Sequence, residues 1–315
     1  MTDVVQPRSI RFAASDGWEL EGDLYEGAAT KLAILISAGT GFPRQFYHNI
    51  ATYLAGQGAT VMTYDYRGIG GSKGDALARS GIEYADWGRF DTPAAVDRLQ
   101  AAAPDVPLTH MGHSVGGHFI GLMPNHAKIA RHAFVSVGTG YFGGHHLRNI
   151  PSELYFWWGL GSYSLLRHGY IKPVGGWQGE PLPPKLFKTW RRWSHRRSYF
   201  QPDLGNTLAP HHYDKVTSPI RSWIFPDDPI ATPKTAADLL KCYPAAPTTV
   251  VMRRPADIGV KRIGHEGAMR KGREALWSEF WEWLAEGAAP LANTPNSDNI
   301  SPNTNRIIHD RSYQA

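Results

Sequence analysis

Residues 111–121 read MGHSVGGHFIG and set Ser114 between Gly112 and Gly116 in a Gly-x-Ser-x-Gly pattern. A serine at the apex of a sharp strand-to-helix turn projects its hydroxyl from the sheet edge, and residues without bulk on either side give the turn room to form. Such a turn also aims the free amides of a helix N-terminus at the site, where they stabilise developing negative charge. The pattern alone is a weak signal in a chain with 33 glycines. Its meaning depends on a partner, because a serine hydroxyl near neutral pH needs a histidine base steadied by a carboxylate.

Order and placement select that partner among 14 histidines. In folds with this kind of turn the acid and then the histidine follow the serine, on loops at the C-terminal ends of later strands. Asp228 in IFPDDPIATP comes directly after an expected strand, and His265 in RIGHEGAM follows the last one. Asp227 is adjacent, and only one of the two is expected to face the histidine. Asp228 is favoured because it immediately precedes the Pro-Ile segment, leaving Asp227 to cap the following turn or face solvent. His113 and His118 flank the turn, His145 and His146 fall in a later insertion, and His309 lies near the C-terminus; structural or solvated roles are expected for these. His118, four residues past Ser114 on the expected helix, is assigned to packing.

The elements that must position these groups alternate along the chain. SIRFAASDGWELEGDLY alternates apolar and polar residues around Asp16-Gly17 and predicts a β-hairpin. KLAILISAG, ATVMTYDY, PLTHMGHS, HAFVSVGTG, SPIRSWIFPDD and TTVVMRR predict strands. Between them FPRQFYHNIATYLAGQG, DTPAAVDRLQAAAP, GGHFIGLMPNH and PKTAADLLKCY predict helices, and EALWSEFWEWLAEG closes the series with Leu276, Phe280, Trp283 and Leu284 on one face. Strands alternating with helices imply an α/β class with a mostly parallel sheet and helices on both faces. The rhythm breaks over 139–215, where tryptophans crowd among prolines, glycines and arginines, and an inserted, mainly helical cap is expected there. The core thus divides into 1–138 and 216–287, and 288–315, rich in Asn, Pro and Ser, is expected to be a disordered tail.

The motifs SAGTGFPRQFY, YDYRGIGGS, GHSVGG, DDPIATP and GHEGAMR occur in this order over nearly all of the chain except 139–215 and the C-terminus. Together they resemble the α/β-hydrolases, specifically the predicted hydrolases near the serine aminopeptidase S33 type. The resemblance implies the α/β-hydrolase fold, with Ser114 as nucleophile, Asp228 as acid and His265 as base. It further implies an oxyanion hole from the backbone amides of Val115 and Thr40. Ala38-Gly39 stands where the commoner pattern has His-Gly, which makes Gly41 the alternative to Thr40, and Phe225 replaces the usual glycine ahead of the acid loop.

Other readings are narrower. YDYRGIGGS lacks the Gly-Lys-Ser/Thr of a phosphate-binding loop and is expected to be a structural turn in which Asp65 and Arg67 hold neighbouring loops. KTWRRWSHRRSYF reads as a solvated helix with an aromatic face on the core, or alternatively as a basic, aromatic lip for anionic or lipid-like substrates. A net charge of +5, scattered along the chain, gives no reason to expect a nucleic-acid partner. Cys242, the single cysteine, excludes an intrachain disulfide and a cysteine metal cluster. The start has no signal-like apolar block and no run reaches membrane-spanning length, so a cytoplasmic protein without stable membrane insertion is expected. The expected activity is ester hydrolysis through an acyl-enzyme, with an S33-type peptidase or amidase, or a non-catalytic binding protein, as alternatives. Its substrate is expected to be a small ester or amide, apolar or aromatic, and the chemistry calls for no metal, nicotinamide or flavin.

Overall fold

Three short apolar runs build the centre of the molecule. In the computed structural model, which describes residues 5–28, 30–175 and 177–287, β3 (Leu32–Ser37), β4 (Ala59–Tyr64) and β5 (Leu108–His113) are buried at every position. Parallel strands covered on both faces require such continuous burial. With β1 (Arg8–Ala13), β2 (Glu19–Glu26), β6 (Ile129–Val135), β7 (Ile220–Ile224) and β8 (Thr248–Met252) they form one eight-stranded sheet in the order β1-β2-β4-β3-β5-β6-β7-β8. The hairpin β1-β2 turns at Asp16-Gly17, where Gly17 has φ +85°, and pairs antiparallel with β4; the pairings from β4 to β8 are parallel. The expected tail at 288–315 lies outside the described residues.

Helices α1 (His48–Gly56), α2 (Thr92–Ala102), α6 (Pro233–Leu240) and α7 (Glu274–Ala285) form where helical spacing predicts them. In α7 the stripe Leu276, Phe280, Trp283 and Leu284 is buried, and Trp277 meets Tyr53 of α1 with ring centroids 5.5 Å apart. The segment between β6 and β7 holds α3 (Ile150–Leu154) and α4 (Gly161–His168), joined by a wider π-type turn at Tyr155–Leu160, and then α5 (Pro184–Ser194). On α5, Trp193 is buried against Tyr84, Phe119 and Tyr199, while Lys188 and Arg192 stay exposed.

The helix expected over 116–126 does not form. Two short 3-10 turns, Ser114–Gly117 and Ile120–Leu122, occupy this stretch instead. Gly116, Gly117 and Gly121 weaken helix formation, and Pro124 ends it. Packing does the rest: a Cβ on Gly116 would lie 2.2 Å from the carbonyl oxygen of Ser37, and one on Gly121 would lie 2.2 Å from the Tyr213 ring. The backbone here is pressed between β3 and the insert, so tertiary contact overrides the apolar periodicity.

The YDYRGIGGS loop is a structural turn. Buried Arg67 donates to Asp91 at 2.7 Å and Asp16 at 2.6 Å, and Arg44 bridges Asp65 to Asp23. These pairs tie the hairpin, the β4 exit and the start of α2 together.

One feature of the core sets an acid limit on stability. His110 and His132 face each other across β5 and β6, Nδ1 to Nδ1 at 3.1 Å, both wholly buried. Burial lowers the pKa of His110 to about 3 and that of His132 well below 6.5; it also lowers His113 to about 3 and His118 to about 4. These rings stay neutral in the folded chain, whereas the unfolded chain protonates near pH 6.5. Unfolding is therefore favoured as pH falls below 6.5, by about 1.4 kcal/mol per histidine for each pH unit until the folded value is reached. Four such rings are expected to destabilise the fold by several kcal/mol between pH 7 and pH 5, a large share of typical domain stability. Urea midpoints measured at the two pH values check this; equal midpoints would contradict it.

Candidate active site

The turn after β5 holds Ser114 at φ +52°, a left-handed conformation that side chains rarely adopt and that marks stored strain. Both flanking glycines are needed. A Cβ on Gly112 would meet the Gly117 nitrogen at 2.7 Å, and Gly116 is pressed against Ser37 as described.

The loops after β7 and β8 bring two further groups to this hydroxyl. His265 Nε2 lies 2.9 Å from Ser114 Oγ, and its Nδ1 lies 3.0 Å from each carboxylate oxygen of Asp228. With Nδ1–H donating to Asp228, Nε2 is free to accept the serine proton. Asp228 is fully buried and its Oδ1 accepts the amides of Ile230 at 2.8 Å and Ala231 at 3.0 Å. Asp227 points elsewhere: its Oδ2 accepts the amides of Ile263 at 2.8 Å and Gly264 at 3.0 Å, pinning the loop that carries His265. For His265 burial opposes the charged ring, but the charge and hydrogen bond of Asp228 outweigh it and raise the pKa above 6.5. For Asp228 burial acts upward, yet His265 and the two amides hold the carboxyl below its ordinary value.

Thr40 and Val115 both line the cavity beside Ser114, and among the described residues neither backbone amide donates to a protein acceptor. Gly41 is not among the residues lining the cavity; its carbonyl accepts the Glu180 amide at 2.8 Å, and a Cβ there would lie 2.5 Å from Trp177. A chain of hydrogen bonds connects the two sides of the site. The Gly39 amide donates to the Tyr47 hydroxyl at 2.8 Å, that hydroxyl donates to His113 Nδ1 at 2.8 Å, and His113 Nε2–H donates to the His265 carbonyl at 2.8 Å. His113, which burial keeps neutral, thus ties the Thr40 loop to the His265 loop.

The cavity above Ser114 has a volume of about 640 Å³ and opens between the sheet and the insert. Phe42, Tyr84, Phe156, Trp157, Trp190 and Tyr199 bring aromatic rings to its walls, and Arg262, Glu266, Arg270 and Arg273 also line it. His118 lines it too, and is held by donating Nε2–H to the Gly138 carbonyl at 2.8 Å. Sequence reasoning missed a polar pair among the lining residues. Glu153 accepts from His145 Nδ1 at 2.8 Å, and both side chains face the cavity. Their spacing of eight residues across a turn carries no motif, so only the folded insert reveals them. Among the described residues no group of three His, Cys, Asp or Glu could hold a metal ion, and no helix is long and apolar enough to cross a membrane.

Comparison with known proteins agrees with this architecture. Residues 28–159 match the family model described as serine aminopeptidase, S33. A 77-residue stretch is 38% identical to a thiohydrolase of Arthrinium phaeospermum, covering 24% of each chain, so the match spans about a quarter of that curated relative. Among solved structures, a soluble variant of monoglyceride lipase from Saccharomyces cerevisiae, in complex with a substrate analog, superposes with a TM-score of 0.66 at 14% identity, covering 91% of this chain and 96% of that one. An esterase of Pyrococcus furiosus gives 0.57 at 13% identity, covering 90% and 91%.

Proposed function

We propose that this member of the α/β-hydrolase superfamily, with its S33-family domain at residues 28–159, is a serine hydrolase that cleaves carboxylic esters through an acyl-enzyme. The observation that carries the reading is the continuous hydrogen-bonded line from buried Asp228 through His265 to the strained Ser114. His265 takes the proton from Ser114 as Oγ attacks the ester carbonyl, and Asp228 stabilises the resulting imidazolium without accepting that proton. The amides of Val115 and Thr40 receive the oxyanion; one such donor contributes about 3 kcal/mol in comparable sites. His265 then protonates the leaving alcohol and, after the acyl-enzyme has formed, activates water to release the acid. The aromatic walls favour an apolar or aromatic acyl group. Lipase, esterase and thiohydrolase names among the similar proteins support acyl transfer from an ester or thioester.

An S33-type aminopeptidase is the second reading, and Glu153 favours it: a protonated amine terminus needs a carboxylate in the cavity wall, which Glu153 supplies. A fluorophosphonate probe tests the shared nucleophile. One phosphonyl group is expected per chain, mapped by peptide mass spectrometry to Ser114, and no labelling of folded protein would favour a non-catalytic binding role. Rates on p-nitrophenyl esters of several chain lengths against aminoacyl-p-nitroanilides then separate the two readings, with esters expected to be turned over faster.

A further inference from the structure

Exposed large apolar side chains are not spread over this molecule. Of the eight among the described residues, seven lie between 147 and 174, and only Met252 lies elsewhere. They follow the outer side of the insert: Leu147 is 80% exposed, Trp158 55%, Tyr163 61% and Leu166 90%, with Leu154 and Tyr155 between them. Tyr155, Trp158 and Leu166 recur at roughly helical spacing along α3, the π-type turn and α4, while the inner side of the same run sends Phe156 and Trp157 into the cavity. An apolar patch of this kind is unusual on a free surface and marks an interaction site.

Charge identifies the partner. Residues 139–215 contain ten Lys and Arg against four Asp and Glu, whereas the rest of the chain carries one more acid than base. The net positive charge that reads as scattered along the sequence is therefore concentrated in the insert. Arg148, Arg167, Lys172 and Lys188 are exposed there and form no ion pair among the described residues. Arg191 lies over the exposed Trp158 ring at 4.4 Å, joining the basic and apolar features at one point. Of the four acids in this segment, Asp203 is buried between Arg192 and Arg196, Glu180 pairs with Lys73, Glu153 faces the cavity and Asp214 is exposed, so among the described residues none of them pairs with Arg148, Arg167, Lys172 or Lys188.

We infer that the outer face of the insert docks on an anionic lipid surface, with Leu147, Leu154, Tyr155, Trp158, Tyr163 and Leu166 entering the headgroup region and the surrounding Arg and Lys residues pairing with lipid phosphates. Aromatic and aliphatic side chains on a basic helical face partition in this way, and two weak signals acting together give stable but reversible attachment. Docking sets the helix that forms one cavity wall against the lipid, so an apolar substrate dissolved in the surface lies next to the route to Ser114.

Co-sedimentation of the full chain with vesicles tests the inference. Binding is expected to vesicles of phosphatidylcholine containing about one-third phosphatidylglycerol, to be much weaker with phosphatidylcholine alone, and to weaken as salt is raised. Leu147→Asp combined with Leu166→Asp is expected to lower the partition coefficient by about tenfold. Both positions are exposed, so the fold should tolerate the change, and an unchanged circular dichroism spectrum confirms that it does. Arg148→Glu with Arg167→Glu should abolish the preference for anionic vesicles, whereas Met252→Asp should leave binding as it is. Ser114→Ala protein should bind vesicles like the wild type, which keeps this result separate from that of the proposed catalysis. Absence of vesicle binding, binding indifferent to the two aspartates, or a concentration-dependent dimer that these aspartates dissociate would overturn the inference.

Discussion

Ser114→Ala is expected to lower kcat for any ester substrate by on the order of 10⁵-fold or more, with little change in KM. The loss is that large because serine and histidine act as a unit: without Oγ, His265 has no proton to take and Asp228 has no imidazolium to stabilise. What survives is catalysis by the Val115 and Thr40 amides and by placement in the cavity, typically about 10³-fold over water. The same position offers a second readout that is independent of turnover. Ser114 is held at φ +52° by the packing of Gly112 and Gly116. Glycine tolerates that conformation and alanine does not, so Ser114→Gly should be equally inactive yet more stable than Ser114→Ala, by about 1 kcal/mol. Paired measurements of kcat and urea midpoint on the two variants check both halves. Substantial turnover by either variant would show that the hydroxyl is not the attacking group, and equal midpoints would show that the turn stores no strain.

The position of this serine was legible because its requirements are local. A strand run, two glycines and a following turn are contiguous in the sequence, as are the Asp16-Gly17 hairpin and the apolar stripe of α7. His265 and Asp228 were legible for a different reason: the order of parallel strands places the loops after β7 and β8 at the same sheet edge as the turn after β5. Where local pattern and tertiary packing disagree, the sequence misleads. The run after Ser114 has helical periodicity, but close approach to Ser37 and Tyr213 leaves only 3-10 turns. The cavity wall was the least legible part. His145, Glu153 and Trp190 converge there through the path of the insert, and nothing in their spacing states that path. The hydrogen bonds from Gly39 through Tyr47 and His113 to His265 likewise join residues up to 152 positions apart, and a buried histidine beside the serine reads as packing until its partners are seen.

The adjacent aspartates separate by function in a way that kinetics can measure. Asp228→Asn is expected to lower kcat by about 10⁴-fold. The asparagine keeps the shape, and it keeps the two amides of Ile230 and Ala231 if its oxygen faces them, but its NH₂ group then faces His265 Nδ1. That contact favours the tautomer with the proton on Nε2, which cannot accept the proton of Ser114. Asp227→Asn removes only a charge from an acceptor of the Ile263 and Gly264 amides. Its oxygen can still accept them, so the expected loss is about tenfold or less in kcat and about 1 kcal/mol in stability. The pH profile gives the sign independently. In the wild type, burial disfavours the imidazolium but Asp228 more than compensates, so the acid limb of kcat/KM should lie above pH 6.5. Activity is then lost as pH falls through that value, because a protonated His265 cannot serve as base. In Asp228→Asn the compensating charge of Asp228 is gone and burial is opposed only by the smaller pull of Glu266, so the limb of the residual activity should move to lower pH. If Asp227→Asn were instead the severe variant, with the shifted limb, the acid would have to be reassigned and the loop carrying His265 would have to rearrange during turnover to reach it.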